Sequence, residues 1–227
     1  MGGSAGWRER AVGVLSASPF ARGRCDAACD ACAEAVGRAG CRVRRLTLRD
    51  YEVAPCRGCN ACAATGACVI SDDFPRLVGD LDALDALVVV SPVYFAGPPA
   101  TLKAALDRMQ VLWALRYRPA GGGAYPALPD DGRRALGLAA VGSGGDPFGD
   151  EPLSTCLRSA MRMLDFELRA RVSCGTGDGA GAVCARLGVD VSADALRRPP
   201  FSRARRAHDL LGIPADVALR GDAPHPR

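Results

Sequence analysis

Four cysteines, Cys56, Cys59, Cys62 and Cys68, stand in the spacing C-x2-C-x2-C-x5-C, with Gly58 and Gly66 between them. Thiolates are soft anionic ligands. Three of them at successive two-residue gaps can wrap three corners of a cubane, and a fourth slightly further along can close it, so the spacing suits an iron-sulfur cluster of the [4Fe-4S] type. Two alternatives stay open: a zinc site, and thiols that are free or only structural.

The first three positions follow the ferredoxin-like spacing, while the fourth lies two residues further on and precedes Val69, where that spacing has proline. A zinc site more often pairs two C-x2-C knuckles across a long spacer, which is missing here. A second group, Cys25, Cys29 and Cys32, has the C-x3-C-x2-C spacing of radical S-adenosylmethionine enzymes, but Ala31 stands where an aromatic is usual. Positions 25, 29, 32 and 36 fall on one helical face that Val36 continues, so these three read as small apolar core residues. Cys41, Cys156, Cys174 and Cys184 are scattered and read as inert.

The chain that holds these residues has 227 residues, 48% apolar and 24% charged, which is ordinary globular composition. Eleven cysteines with no apolar leader at Met1–Arg10 point to a reducing, cytoplasmic setting, where a disulfide framework is not expected. The basic side is 28 arginines and one lysine, Lys103, spread along the chain, and the net charge is only +4. No nucleic acid or membrane is therefore called for, and the basic run 197–206 reads as a solvated helix flank. His208 and His225 are the only histidines, so no Ser-His-Asp set or metalloprotease helix competes and no protein side chain is assigned a catalytic role.

Short β-like runs alternate with helical ones, the pattern of a parallel α/β sheet. The predicted strands are 11–16, 42–48, 86–91, 135–141 and 167–174; the predicted helices are 25–39, 72–84, 99–115, 151–164 and 202–211. Val88, Val89 and Val90 mark a strand buried on both faces, Gly40 a helix C-cap, and Pro99 a first-turn proline. The cysteine-rich loop 51–68 and the Gly/Pro-rich stretch 118–131 break the alternation. One domain is expected over 1–212, followed by a weakly ordered tail, 213–227.

Three loops follow strands one, three and four: Ser16 to Cys25, Ser91 to Pro99, and Gly142 to Asp146. The first is hydroxyl-rich and leads into a helix N-terminus, which offers backbone N–H groups and a positive dipole end to a phosphate. The dinucleotide pattern G-x-G-x-x-G is absent, and a strand order 2-1-3-4-5 places a mononucleotide at the switch point between strands one and three.

The segments PCRGCNACAATGACVISDDF (55–74) and SPVYFAGPPATLKAALDR (91–108) resemble the iron-sulfur flavoproteins of the NADPH-dependent FMN reductase superfamily. The resemblance implies a flavodoxin-like, doubly wound five-stranded parallel sheet of order 2-1-3-4-5 with the cysteine-rich loop after strand two. It also implies FMN on the three loops and a [4Fe-4S] cluster on Cys56, Cys59, Cys62 and Cys68. Carried over by position, Ser16, Ser18 and the turn after them would hold the FMN phosphate, with Arg24 and Cys25 at the helix entrance. Pro92, Val93, Tyr94 and Phe95 would border the isoalloxazine, and Ser143, Gly144 and Gly145 would lie along its other edge. The phosphate loop departs from the family pattern G-S-P-R-x-x-G-N-T: Ala17, Phe20, Arg24 and Cys25 replace its Gly, Arg, Asn and Thr.

The function this implies is an FMN-dependent oxidoreductase passing electrons between NAD(P)H or a ferredoxin, FMN, the cluster and a small acceptor, in a homodimer or homotetramer. The alternatives are a cluster-free NAD(P)H:FMN or quinone reductase, a non-catalytic electron carrier, and a zinc-stabilised interaction protein. By the same resemblance Lys103 and Arg108 are structural or lie at a subunit contact.

Overall fold

A computed structural model of the chain describes residues 10–117, 134–142 and 146–175. The stretch 118–131, Ser143 to Gly145, Cys184, both histidines, the helix expected over 202–211 and the tail lie outside the described residues.

The alternation becomes five parallel strands: β1 (Ala11–Ser16), β2 (Arg42–Thr47), β3 (Ala86–Pro92), β4 (Arg134–Val141) and β5 (Phe166–Cys174). Their order is β2-β1-β3-β4-β5, the doubly wound order expected. The connecting helices are α1 (Arg24–Arg38), α2 (Ala61–Thr65), α3 (Phe74–Asp82), α4 (Ala100–Arg108), α5 (Gln110–Tyr117) and α6 (Glu151–Met161).

Strand periodicity divides the core by face. Leu15, Val89, Leu138 and Ala140 pack with Phe74, Leu77, Leu112, Leu153 and Leu157 from α3, α5 and α6. On the other face Val14, Val88, Val90, Ala139 and Val172 meet Cys25, Cys29 and Cys32 of α1, all three nearly fully buried. The central valines are thus enclosed from both sides, and the α1 cysteines are core residues, as their helical stripe predicts. Each large side chain fully buried this way contributes about 1.5–3 kcal/mol.

The α1 C-terminus is closed by a Schellman motif. Gly40, at φ +85°, donates its N–H to Gly37 O at 2.9 Å, and Cys41 N–H reaches Val36 O at 3.3 Å. Val36 and Cys41 also share an apolar cluster, the contact that accompanies this cap.

Three expectations change. The helix expected over 99–115 is two helices, broken at Met109, because Met109 and Trp113 continue the apolar periodicity across a bend that the sequence pattern cannot see. Pro99 is the N-cap residue of α4 and not its first helical residue. The helix expected from Asp72 starts at Phe74, because Asp72 Oδ1 instead accepts the Phe74 N–H at 3.0 Å from outside the helix.

Candidate cofactor site

The strand order reverses between β1 and β3, and the chain leaves each strand's carboxyl end into one of the predicted loops. Sheet-like bonds continue past the strand ends and fix the loop entrances. Ala17 N–H donates to Val90 O at 2.9 Å, Val93 N–H to Val141 O at 3.2 Å, and Gly142 N–H to Cys174 O at 2.7 Å.

In the β1–α1 loop the Ser18 hydroxyl is buried and turned onto its own backbone. It accepts from Phe20 N–H at 3.1 Å and donates to Phe20 O at 3.0 Å. Ser16 Oγ donates to Asp26 Oδ1 at 2.6 Å. Asp26, in the first turn of α1, also accepts from Arg22 N–H at 2.7 Å and from Arg49 Nη2 at 2.8 Å. Burial works to raise the Asp26 carboxyl, but the hydrogen bonds from Ser16, Arg49 and Arg22 outweigh it and hold it below the ordinary carboxylate range. Arg49 Nη1 further reaches Ser18 O at 2.7 Å and Phe20 O at 3.1 Å. The loop is therefore braced by two residues, Asp26 and Arg49, that the sequence reading did not single out. Arg49 follows β2, far along the chain, and nothing local in the sequence announces it.

By helix geometry the N–H groups of Arg24, Cys25 and Asp26 have no intrahelical acceptor, so they are available to an anion, as is the exposed guanidinium of Arg22. Arg24 itself reaches across to Gly175 O at the end of β5. The Cys25 thiol, at the position of the family's Thr, is pushed up to about 11 by burial and then by Asp26, so it is a neutral thiol at neutral pH. Cys29 is pushed up to about 12 by burial. These donors fit a phosphate, with the compensated Asp26 carboxylate as a neighbour that any phosphate must tolerate.

Pro92, the last residue of β3, is buried; beyond it Val93 is half-buried, and Tyr94 and Phe95 are exposed. Tyr94 and Gly97 exchange both backbone hydrogen bonds, at 3.0 and 2.9 Å, around Phe95 and Ala96, whose φ angles are +49° and +60°. Two successive left-handed residues with side chains form a turn normally given to Gly or Asn, and such strain clusters at working sites. The Phe95 ring is fully exposed and touches no core, and Phe20 and Phe148, on the neighbouring loops, are exposed as well. Ser143, Gly144 and Gly145 lie outside the described residues.

The cysteine loop leaves the carboxyl end of β2. Cys56 and Cys59 are exposed, Cys62 and Cys68 half-buried, and all four are free thiols. The short helix α2 lies inside the loop and rests on α5: a Cβ on Gly66, which has φ +77°, would meet Leu115 Cδ2 at 2.9 Å. The donor set fits a thiolate-ligated group in chemistry and accessibility. The four are not drawn together, since among the described residues no three His, Cys, Asp or Glu side chains form a metal site.

Both ends of this loop converge on Arg108, the last residue of α4. Arg108 Nη1 donates to Ala54 O at 3.1 Å and to Asp72 Oδ2 at 2.5 Å; Nη2 donates to Asp72 Oδ1 at 3.2 Å and to Ile70 O at 3.5 Å. Nε alone finds no partner among the described residues. The guanidinium lies 4.8 Å from the Phe74 ring centroid, and its side chain is only 1% exposed. Lys103, by contrast, makes a surface i,i+4 pair with Asp107.

The model for the family described as NADPH-dependent FMN reductase matches residues 11–164, which takes in the whole sheet up to the start of β5 and every loop described above. The chain belongs to that family. An iron-sulfur flavoprotein of Methanosarcina thermophila is 35% identical to this FMN reductase family member over 98 residues, covering 43% of this chain and 51% of the relative. Another, from Methanocaldococcus jannaschii, is 32% identical over 122 residues, covering 52% of this chain and 63% of the relative. The chain thus spans between half and two thirds of the length of these relatives.

Among solved structures, an NAD(P)H:quinone oxidoreductase from Methanothermobacter marburgensis superposes with a TM-score of 0.56 at 17% identity, over 80% of this chain and 97% of that one. An NADH:FMN oxidoreductase in its apo form gives 0.54 at 18% identity, over 90% and 96%. At these identities they establish the flavodoxin-like fold of the family member. No described helix is long and apolar enough to cross a membrane.

Proposed function

We propose that this FMN reductase family member is an iron-sulfur flavoprotein oxidoreductase that moves electrons between NAD(P)H or a ferredoxin and a small acceptor. One observation carries the reading: four free, solvent-reachable thiols sit on a loop leaving the same end of the sheet as the switch-point loops. The relatives named as iron-sulfur flavoproteins support it.

Bound FMN would supply two-electron chemistry, and a bound [4Fe-4S] cluster one-electron transfer. The first-turn N–H groups of α1 would hold the phosphate end, with Ser18, Arg24 and Cys25 beside them once the Ser18 hydroxyl turns from Phe20 O and Arg24 from Gly175 O, and Ser16 acts one step back by fixing Asp26. Pro92, Val93, Tyr94 and Phe95 would border the ring and limit water at its face. Cys56, Cys59, Cys62 and Cys68 would be the cluster ligands. The assembly proposed is a homodimer or homotetramer in the cytoplasm.

A cluster-free NAD(P)H:FMN or quinone reductase is the second reading, favoured by the four thiols' not standing together. Anaerobic NAD(P)H oxidation with a quinone, followed over many turnovers in wild type and Cys62→Ser, tests both. The proposed function expects wild-type turnover, and in Cys62→Ser retained FMN with loss of visible absorbance beyond that of the flavin. Identical spectra and turnover in the two proteins favour the cluster-free reading; a single stoichiometric oxidation without turnover marks a carrier.

A further inference from the structure

We propose that Arg108, acting with Asp72, is a positioning residue for the cysteine loop: it closes the base of the loop in the metal-free chain, so the four thiols are presented on a preformed frame. What the loop carries rests on the proposed cluster; the clasp itself does not.

The geometry is that of a closed ring. The chain enters the loop at Ala54, whose carbonyl accepts from Arg108 Nη1 and whose N–H donates to Asp72 Oδ2 at 2.9 Å. It leaves at Ile70 and Asp72, whose carbonyl and carboxylate accept from the same guanidinium. Entry and exit are thus joined through one side chain that belongs to neither. A second, weaker seam lies just outside it, where Glu52 N–H donates to Asp73 Oδ2 and Asp73 N–H to Glu52 O, both at 2.9 Å. Arg76 Nη2 adds a bond to Asp50 O.

The planar fork sets two nitrogens against the carboxylate while each also reaches a carbonyl, four bonds that the three donors of a compact lysine ammonium do not reproduce. Burial removes competition from water, which makes each bond count more than it would at the surface. α4 ends at this arginine; α5 begins two residues later and, through Leu115, packs on α2 in the middle of the loop. One helical junction therefore supports the base of the loop and the segment that bears Cys62.

The test is hydrogen exchange resolved by segment, on full-length chain stripped of metal by chelator under reducing conditions, in wild type, Arg108→Lys and Asp72→Asn. Asp72→Asn keeps the guanidinium and its carbonyl bonds, and so covers the case in which Arg108→Lys fails to fold. The expected result is protection of the Ala54 and Phe74 amides in the metal-free wild type. In either variant, exchange across 52–74 is about 100-fold faster while β1 and β3 amides are unchanged. Trypsin should then cut after Arg57 faster by a similar factor, and anaerobic uptake of iron and sulfide should slow.

Two results would overturn the clasp. In one, the wild-type loop amides exchange freely until iron and sulfide are added, so that the cluster organises the loop. In the other, protection is lost equally throughout the sheet, so that Arg108 is a general packing residue. Wild type that shows the clasp but takes up no iron supports this proposal and overturns the cluster reading.

Discussion

Arg49 and Asp26 close the β1–α1 loop together: the guanidinium donates to the carboxylate at 2.8 Å through Nη2, and with Nη1 it holds the Ser18 carbonyl at 2.7 Å. A carboxylate in the first turn of a helix competes with a phosphate for the same dipole end, and Arg49 neutralises it. Arg49→Met is therefore expected to weaken FMN binding by about 1.5–3 kcal/mol, the usual loss for a hydrogen bond to a charged group. Flavin fluorescence titration measures it. The double variant Arg49→Met/Asp26→Asn should recover much of the loss, and no recovery would show that the Asp26 charge is not the cause.

Acid should unpick the same carboxylates. Burial works to raise Asp72, but hydrogen bonds from Arg108, Ala54 and Phe74 hold it below its ordinary value, and Asp26 is lowered likewise. A carboxyl depressed in the folded state contributes stability that is present above its unfolded value, about 3.9, and is lost as pH falls through the folded value. Urea midpoints in wild type should hold above about pH 4 and fall below it, and the acid limb of Asp72→Asn should be shallower. Equal limbs would contradict the assignment.

Close packing under β1 makes a third case. A Cβ on Gly13 would lie 2.3 Å from Leu84 Cδ1 and 3.1 Å from Leu87 Cδ1, and both leucines are buried in the core. Gly13→Ala should cost about 1–3 kcal/mol in urea unfolding because both leucines must shift within a packed core.

The exposed ring after β3 separates stability from binding. Phe95 touches no core, so Phe95→Ala should move stability by no more than about 0.5 kcal/mol. If the ring borders flavin, FMN affinity should fall by about 0.5–1.5 kcal/mol, as for loss of an aromatic contact. Unfolding and FMN titration on one preparation read both quantities.

The strands were legible because their signals are local. Val88 to Val90 advertise a doubly buried strand, and the Cys25, Cys29, Cys32 and Val36 stripe advertises a helix packed on it. The parts that escaped depend on distance or on strain. Arg108 and Asp72 are 36 positions apart, and Arg49 and Asp26 are 23 apart, so no window of sequence contains both partners. Helix α2 has five residues and no apolar period; it rests on α5, and no local pattern brings the two together. The left-handed turn at Phe95 and Ala96 uses residues that a turn reading excludes, and such exceptions are expected where a site overrides local preference. The cysteine spacing was plain, but spacing names ligand types and does not bring four side chains together.

Quantification of iron, acid-labile sulfide, zinc and FMN in protein purified anaerobically decides which groups the chain carries. The proposed iron-sulfur flavoprotein should hold about four iron and four sulfide with one FMN per chain, and Cys62→Ser should lose the iron but not the flavin. Stoichiometric zinc without iron, iron without FMN, or a Cys62→Ser protein with its full iron content would contradict it.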